Sequence, residues 1–340
     1  MHAHRRVRRR PRFGRRCTLS AALAGTAIAY CVIALITRTL PVWGLLSLFV
    51  AVSAAYVPVL AIAGVLLAAL SRRVVLSIAA LLVLTATLAV QVNWYSVSRP
   101  VDVGPHTDIR VLSSNLRKGR ADAASFVRLA KDNADVITVS ELTPEAAQRF
   151  SRAGLEKTFP YFLLYPVPGT GGIGMWSRFP IVDAIPKKHR YPGFITARLQ
   201  IPGVRLNPLI TSLHITSPLT RWGLAFNEWQ IGISGAKARL DALAKAAGSA
   251  AVIVAGDFNS TPDMRQFRDL LTNGYRDAVD QTGAGFGPTF PSRPWHPPVI
   301  TIDHVLTRQA AASAIRTVYI RGSDHRAVLA TVQVPLDPGP

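Results

Sequence analysis

Between Thr18 and Val92 the chain holds three apolar stretches without a charged residue, Thr18 to Ile36, Val42 to Leu70 and Val74 to Val92. Each is long enough for an α-helix to cross a hydrocarbon core, which takes about 17 to 25 residues. The first follows a basic segment, as secretory signals do, but it lacks a small-residue cleavage site and two further spans follow, so it reads as an anchor. Pro58, Ser47 and Ser53 are tolerable in a membrane helix, where neighbouring groups satisfy a disturbed backbone. A buried bundle of soluble helices is the competing reading.

Charge sets the expected orientation. The net charge of +20 is uneven: Met1 to Arg99 carries 12 Arg and neither Lys, Asp nor Glu, and the remainder carries 27 basic and 19 acidic residues, or +8. Arginine near span ends stays on the cytoplasmic side, so the tail (1–17), with Arg5, Arg6, Arg8, Arg9, Arg10, Arg12, Arg15 and Arg16, places the N-terminus inside. The loop 37–41, with only Arg38, then lies outside, and Arg72 and Arg73 return inside. Everything after Asn93 is expected to be extracytoplasmic, with Trp94 and Tyr95 at the exit, where amphipathic rings favour the interface.

The anchor covers 18–93, a linker 94–108, and the remaining domain 109–334. Cys17 and Cys31 both precede the domain, and 14 helical positions separate them by ~21 Å, too far for a disulfide. The domain therefore has no thiolate chemistry. Its pattern alternates β-rich and helical runs. Strands are predicted over Ile109 to Ser114, Val136 to Ser140, Tyr161 to Tyr165, Ile173 to Ser177, Phe194 to Gln200, Leu206 to His214, Ala251 to Ala255, Ile300 to Thr307, Thr317 to Ile320 and Ala327 to Val334. Helices are predicted over Ala121 to Asp132, Pro144 to Ala153, Glu228 to Ala247 and Met264 to Asn273. Pro168 to Gly174 and Gly283 to Pro298 read as loops.

Several apolar runs stop at a polar residue with no packing purpose. These are Asn115, Glu141, His214, the run Gly256-Asp257-Phe258-Asn259 and the pair Asp303-His304, while Ser323-Asp324-His325 precedes the last strand. Singly, each has a structural explanation as a turn or cap. Together, at one sheet edge, they form a crevice of oxygen ligands and imidazoles, suited to Mg²⁺ or Mn²⁺ more than Zn²⁺.

In order and identity these residues resemble the motif set of the endonuclease/exonuclease/phosphatase superfamily, over roughly 230 residues. The resemblance implies an α/β four-layer sandwich of two mixed β-sheets flanked by helices, here preceded by three transmembrane helices. It also implies metal-dependent hydrolysis of phosphate esters. Glu141 would be the principal Mg²⁺ ligand, with Asn115 and Asp324 near the ion. Asp257 would orient or deprotonate the attacking water, Asn259 would donate to a phosphoryl oxygen, and His325, held by Asp303, would sit against the phosphate. His214 would be a second imidazole, as donor or acid. Many relatives place Gln before the metal-binding Glu; here Ser140 stands there, still able to hydrogen-bond. His304 reads equally as a packed strand-end imidazole.

Arg117 and Lys118 could meet further phosphates, and Trp222, Phe226 and Trp229 in the segment Ser217 to Gln230 could dip into a lipid interface. The basic tail, three spans and outward domain resemble an actinobacterial membrane-anchored branch typified by the teicoplanin resistance protein VanJ. That branch implies a phospholipid or polyprenyl phosphate substrate in the cell envelope. A membrane-tethered nuclease is the alternative; it would need a basic track for the nucleic-acid backbone, and the domain offers one compact patch, Lys187-Lys188-His189-Arg190. A non-catalytic binding protein is a second alternative, against which the intact motif set stands.

Overall fold

The computed structural model describes residues 12–185, 193–220 and 223–338. The patch at 187–190, Trp222 and the tail arginines before residue 12 lie outside the described residues. The chain divides into two compact units, Met1–Asn93 and Trp94–Pro340.

The first unit consists of helices α1 (Arg12–Thr39), α2 (Leu45–Ser53), α3 (Val57–Ser71) and most of α4 (Val74–Tyr95). The three predicted spans are present, but the second is interrupted by a 3-10 turn over Ala54–Tyr56, with Pro58 in the first turn of α3. Proline lacks the N–H that would continue the ladder. The carbonyl freed by the break is met from a neighbouring helix, Gln91 donating to Ala54 O at 3.1 Å, and beside it the Tyr30 and Ser53 hydroxyls meet at 2.6 Å. Small residues line the approach of α1 to α3, with Ala27 against Gly64, as close helix packing in lipid requires. Only 11% of the most apolar window of Val74–Tyr95 is buried inside protein. A helix apolar all round with little of its surface covered by protein is one that can cross a membrane, which disfavours the soluble bundle.

Among the described residues the second unit contains fourteen strands. In order they are β1 (His106–Asn115), β2 (Val136–Ser140), β3 (Tyr161–Tyr165), β4 (Ile173–Ser177), β5 (Ile181–Ile185), β6 (Gly193–Leu199), β7 (Leu209–His214), β8 (Leu219–Thr220), β9 (Gly223–Leu224), β10 (Val252–Asp257), β11 (Arg276–Asp277), β12 (Asp303–Arg308), β13 (Ala311–Tyr319) and β14 (Arg326–Pro335). Helices α5 (Ala123–Asn133), α6 (Pro144–Arg152), α7 (Phe226–Ala247), α8 (Arg265–Arg268) and α9 (Ala278–Thr282) connect them. Two mixed six-stranded sheets form, ordered β13-β14-β1-β2-β4-β3 and β11-β12-β10-β7-β6-β5. This is the predicted two-sheet architecture.

Period-two alternation builds the layers. On β14, Val328, Ala330, Val332 and Val334 join the cluster that includes Ile195 and Ile253 of the other sheet, whereas Ala327 and Leu329 join the cluster with Phe126 of α5 and Phe150 of α6. On α7, Trp229, Ile233, Ala236, Leu240 and Leu243 are buried at helical spacing. The predicted helix Met264 to Asn273 is shorter, because beyond Arg268 the chain tightens into i to i+3 bonds such as Leu271 N to Arg268 O. The linker reading of 94–108 meets a segment that is hydrogen-bonded: Arg99 N donates to Gln281 O, and the Arg99 guanidinium pairs with Asp280.

Candidate active site

Strand direction gathers the polar residues. Each sheet contains one parallel pair among the described residues, β1 with β2 and β7 with β10. A helix-bearing crossover joins each, through α5 and α7, as parallel neighbours require. Their carboxyl ends place Asn115 beside Ser140 in the first sheet and His214 beside Asp257 in the second. Strands β12 and β14 run antiparallel to these, so what they bring to the same edge is their beginnings: Asp303, paired with Asp257, and His325 just before Arg326. Gly256 is required here, since a Cβ would lie 1.9 Å from the Leu213 carbonyl oxygen.

Asp257 is the centre. Its Oδ2 accepts from Asn115 Nδ2 at 2.9 Å and lies 3.8 Å from His214 Nε2 and 3.9 Å from His325 Nε2. Its Oδ1 accepts the Asn259 N–H at 2.9 Å. Asn259 Nδ2 donates to the Ile215 carbonyl at 2.8 Å, which leaves its second amide hydrogen for another acceptor. His325 Nδ1 meets Asp303 Oδ2 at 2.8 Å, as the resemblance implied, and Ser323 Oγ fixes the motif by donating to Asn115 O at 2.7 Å.

Burial drives these groups apart electrostatically. The Asp257 carboxyl is pushed up to about 6 by burial and then by the Asp303 charge, against the pull of His325, His214 and the Asn115 hydrogen bond. For His325 burial opposes the charged ring, but the Asp303 and Asp257 carboxylates and the Asp303 hydrogen bond outweigh it and raise its pKa to about 10. His214 goes the other way, because burial lowers its pKa more than Asp257 raises it. The two imidazoles beside one carboxylate are thus shifted in opposite directions.

The first sheet contributes a more open side. Glu141 is raised in pKa by burial, against hydrogen bonds from Lys118 N at 2.6 Å and, more weakly, Asn115 Nδ2 at 3.4 Å. Arg117, Lys118, Glu141 and Asn259 have φ of 49°, 51°, 58° and 45°. Each left-handed non-glycine residue costs about 1 to 2 kcal/mol, and such strain concentrates at functional sites. Arg117 Nε lies 3.5 Å from Asp324 Oδ2. The Ser140 hydroxyl, expected to hydrogen-bond at the site, is buried without a partner among the described residues.

The donor set fits a divalent cation. Asp257, Asp303 and His325 offer ligand atoms within 4.8 Å of one another, and Asp303 Oδ1 is buried without a hydrogen-bond partner. Hard oxygen donors suit an alkaline-earth ion, and the carboxyl groups of Asp257 and Glu141, raised chiefly by burial, would be held ionised by such an ion. A ligating histidine must be neutral, whereas the Asp303 carboxylate bonded to His325 Nδ1 favours the protonated ring, so Glu141 and Asp303 are the better holders.

One residue of the site has a firmer role than its sequence context suggested. His304 is buried, with Nδ1 2.9 Å from Asp277 Oδ2 and Nε2 3.0 Å from the Ser260 carbonyl. Its ring packs on Phe267 at 4.2 Å. Because Ser260 directly follows Asn259, His304 braces the turn that presents Asp257 and Asn259. Asp277 and Ser260 gave no signal in the sequence, because nothing in their local context marks them as partners of His304. Trp229 corrects an expectation: it is fully buried and donates to Ser260 Oγ at 3.0 Å, so it cannot enter a lipid interface.

Comparison with known proteins agrees with this geometry. No curated protein sequence matches the chain at a significant level. Among solved structures, an endonuclease/exonuclease/phosphatase from Bacteroides vulgatus is similar with TM-score 0.53 and 16% identity, covering 67% of this chain and 99% of that one. A Staphylococcus aureus beta toxin gives 0.52 and 18%, covering 65% and 99%. D. rerio TDP2 in complex with a single-strand DNA product gives 0.50 and 17%, covering 66% and 99%. At such identities the likeness concerns the fold. The sequence profile that matches residues 112–325 spans Asn115 through His325 and decides the matter: the chain belongs to the Endonuclease/Exonuclease/phosphatase family.

Proposed function

We propose that the chain is a membrane-anchored, extracytoplasmic phosphoesterase, dependent on Mg²⁺ or Mn²⁺, that hydrolyses a phosphate ester or pyrophosphate of a lipid or lipid-linked substrate. The observation that carries the chemistry is the Asp257 carboxylate ringed by Asn115, His214 and His325. A cation held by Glu141 and Asp303, with Asn115 and Asp324 nearby, would neutralise the non-bridging phosphate oxygens when bound. Asp257, with a pKa of about 6, is matched to take a proton from an attacking water near neutrality. His325 presents Nε2–H as a charged donor to a phosphoryl oxygen, because Asp303 occupies Nδ1. His214, kept neutral by burial, is the second imidazole at the leaving group, and the free hydrogen of Asn259 adds a donor. Arg117 and Lys118, at the open side, would meet additional phosphate charge.

The lipid reading rests on the three apolar helices, which would keep the domain near headgroups at high effective concentration. The nuclease reading draws on the DNA-bound relative but lacks a basic track among the described residues. Both are tested by incubating the full chain, with Mg²⁺ and with EDTA, against polyprenyl pyrophosphate, sphingomyelin, phosphatidylinositol phosphate and plasmid DNA. Release of phosphate or headgroup from a lipid is expected. DNA cleavage without lipid turnover would overturn the substrate class. A periplasmic-type reporter after Val334 tests orientation, and cytoplasmic reporter activity would refute it.

A further inference from the structure

The most exposed aromatic residue among the described residues lies elsewhere. Trp295 is 90% exposed, and its indole has no hydrogen-bond or ring partner among the described residues. It sits at the tip of the loop between Phe290 and Ile300, whose sequence Pro291-Ser292-Arg293-Pro294-Trp295-His296-Pro297-Pro298 is stiffened by four prolines. Reciprocal backbone bonds between Arg293 and His296, at 3.3 and 3.2 Å, close the tip. The foot is a second clasp, with Phe290 N and Ile300 N each bonded to the other residue's carbonyl at 3.0 and 2.9 Å.

That foot is joined to the active site. The Phe290 ring packs on the His325 ring with centroids 4.8 Å apart, Ser292 N donates to the Asp324 carbonyl at 2.6 Å, and Arg326 N donates to Thr289 O at 2.8 Å. At its other end the segment begins where the third apolar helix stops: Gly285 N donates to Tyr95 O at 2.8 Å, and Phe286 meets the Tyr95 ring edge-on at 5.3 Å.

We infer that the Trp295 loop is a lipid-docking element, which inserts its indole into the headgroup region of a bilayer and thereby sets the active site against a membrane-embedded substrate. Tryptophan prefers this region because its ring is apolar and its N–H is polar. The Arg293 side chain, exposed and unpartnered among the described residues, stands two positions away, where a cation can reach headgroup phosphate. A bilayer is favoured over a protein partner because the chain itself carries three candidate spans. The stiffness of the loop lets docking at the tip register at His325 and Asp324. The inference extends the lipid reading given above.

The test has an arm for each reading. Full-length wild type, Trp295→Ala and Trp295→Tyr are reconstituted and assayed on a lipid phosphodiester in phosphatidylcholine/phosphatidylglycerol vesicles and on water-soluble bis(p-nitrophenyl) phosphate. Trp295→Ala is expected to lose about tenfold in kcat/KM on vesicles and nothing on the soluble ester, while Tyr, also an interfacial residue, restores most of the loss. Equal losses on both substrates, or none on vesicles, would overturn the inference. Independently of any substrate, quenching by brominated lipid in nanodiscs is compared between wild type and Trp295→Phe. Greater quenching of the wild type is expected; identical quenching would refute docking. A wild type that cleaves only the soluble ester, yet shows the extra quenching, would sink the lipid substrate and leave the docking element standing.

Discussion

The two halves of the crevice are built alike and behave differently. Each comes from a parallel strand pair with a crossover helix, yet the second sheet's half, His214 and Asp257, is sealed from water, whereas Glu141, Arg117 and Lys118 of the first remain partly exposed on strained backbone. Burial is what tunes proton affinity, so the sealed half suits proton movement. The open half, with Glu141, Arg117 and Lys118 within reach of solvent, suits meeting a phosphate and sharing a metal ion with Asp303 of the sealed half. The strand ends themselves, Asn115 and Ser140 against His214 and Asp257, are equally buried, so the contrast comes from the residues that follow them.

Predictions can break that contrast. The largest effect is expected from chelation: EDTA should abolish turnover and added Mg²⁺ or Mn²⁺ restore it, measured as phosphate release. Next, Asp257→Asn should lower kcat by about 10²- to 10⁴-fold, and raised Mg²⁺ should not rescue it. Glu141→Ala should lose a comparable amount at low Mg²⁺ but recover in part when the ion is titrated upward. If both variants respond to Mg²⁺ alike, the division between the halves is wrong.

His304→Leu should reduce kcat about tenfold with KM nearly unchanged, because the freed Ser260 carbonyl loosens the turn under Asp257; an unacceptable placement of even 1 Å is costly in catalysis. His304→Gln, which keeps a donor, should recover part of the loss, and equal activity of the two variants would remove the brace. The pH profile is the smallest effect. Activity should rise as Asp257 ionises near pH 6 and fall as His325 loses its proton near pH 10, with bound cation moving both limbs down. Stability follows the same sign for His325: its raised pKa stabilises the fold fully below the ordinary imidazole value near 6.5, and this contribution disappears as pH climbs through about 10. Thermal melts of His325→Gln against wild type across that window would show it.

Much of this was legible because polar residues interrupt apolar alternation. Asn115, Glu141, His214, Asp257, Asp303 and His325 stand at strand ends, and strand ends are what a sheet edge collects. Depth was not legible. Nothing in the run Ser140-Glu141 announces a φ of 58°, and nothing in Phe226 to Gln230 distinguishes a buried Trp229 from an interfacial one. Those outcomes depend on which neighbour covers the residue, here Ser260. The strand β5 escaped notice because it is short and follows Pro180, and the break in the second span because apolar composition is blind to a missing N–H at Pro58.

Asp303 and His304 open β12 as neighbours opposite Asp257 and Gly256, one turned to His325 and the other to Asp277 and Ser260. Because successive side chains alternate faces, slipping that strand by a single residue would exchange the two, leaving both histidine-carboxylate pairs unmade at once. The dyads therefore act as a checksum on pairing. A mispaired chain would be inactive and also poorly packed, so assembly errors would be exposed to clearance before they could mimic a working enzyme.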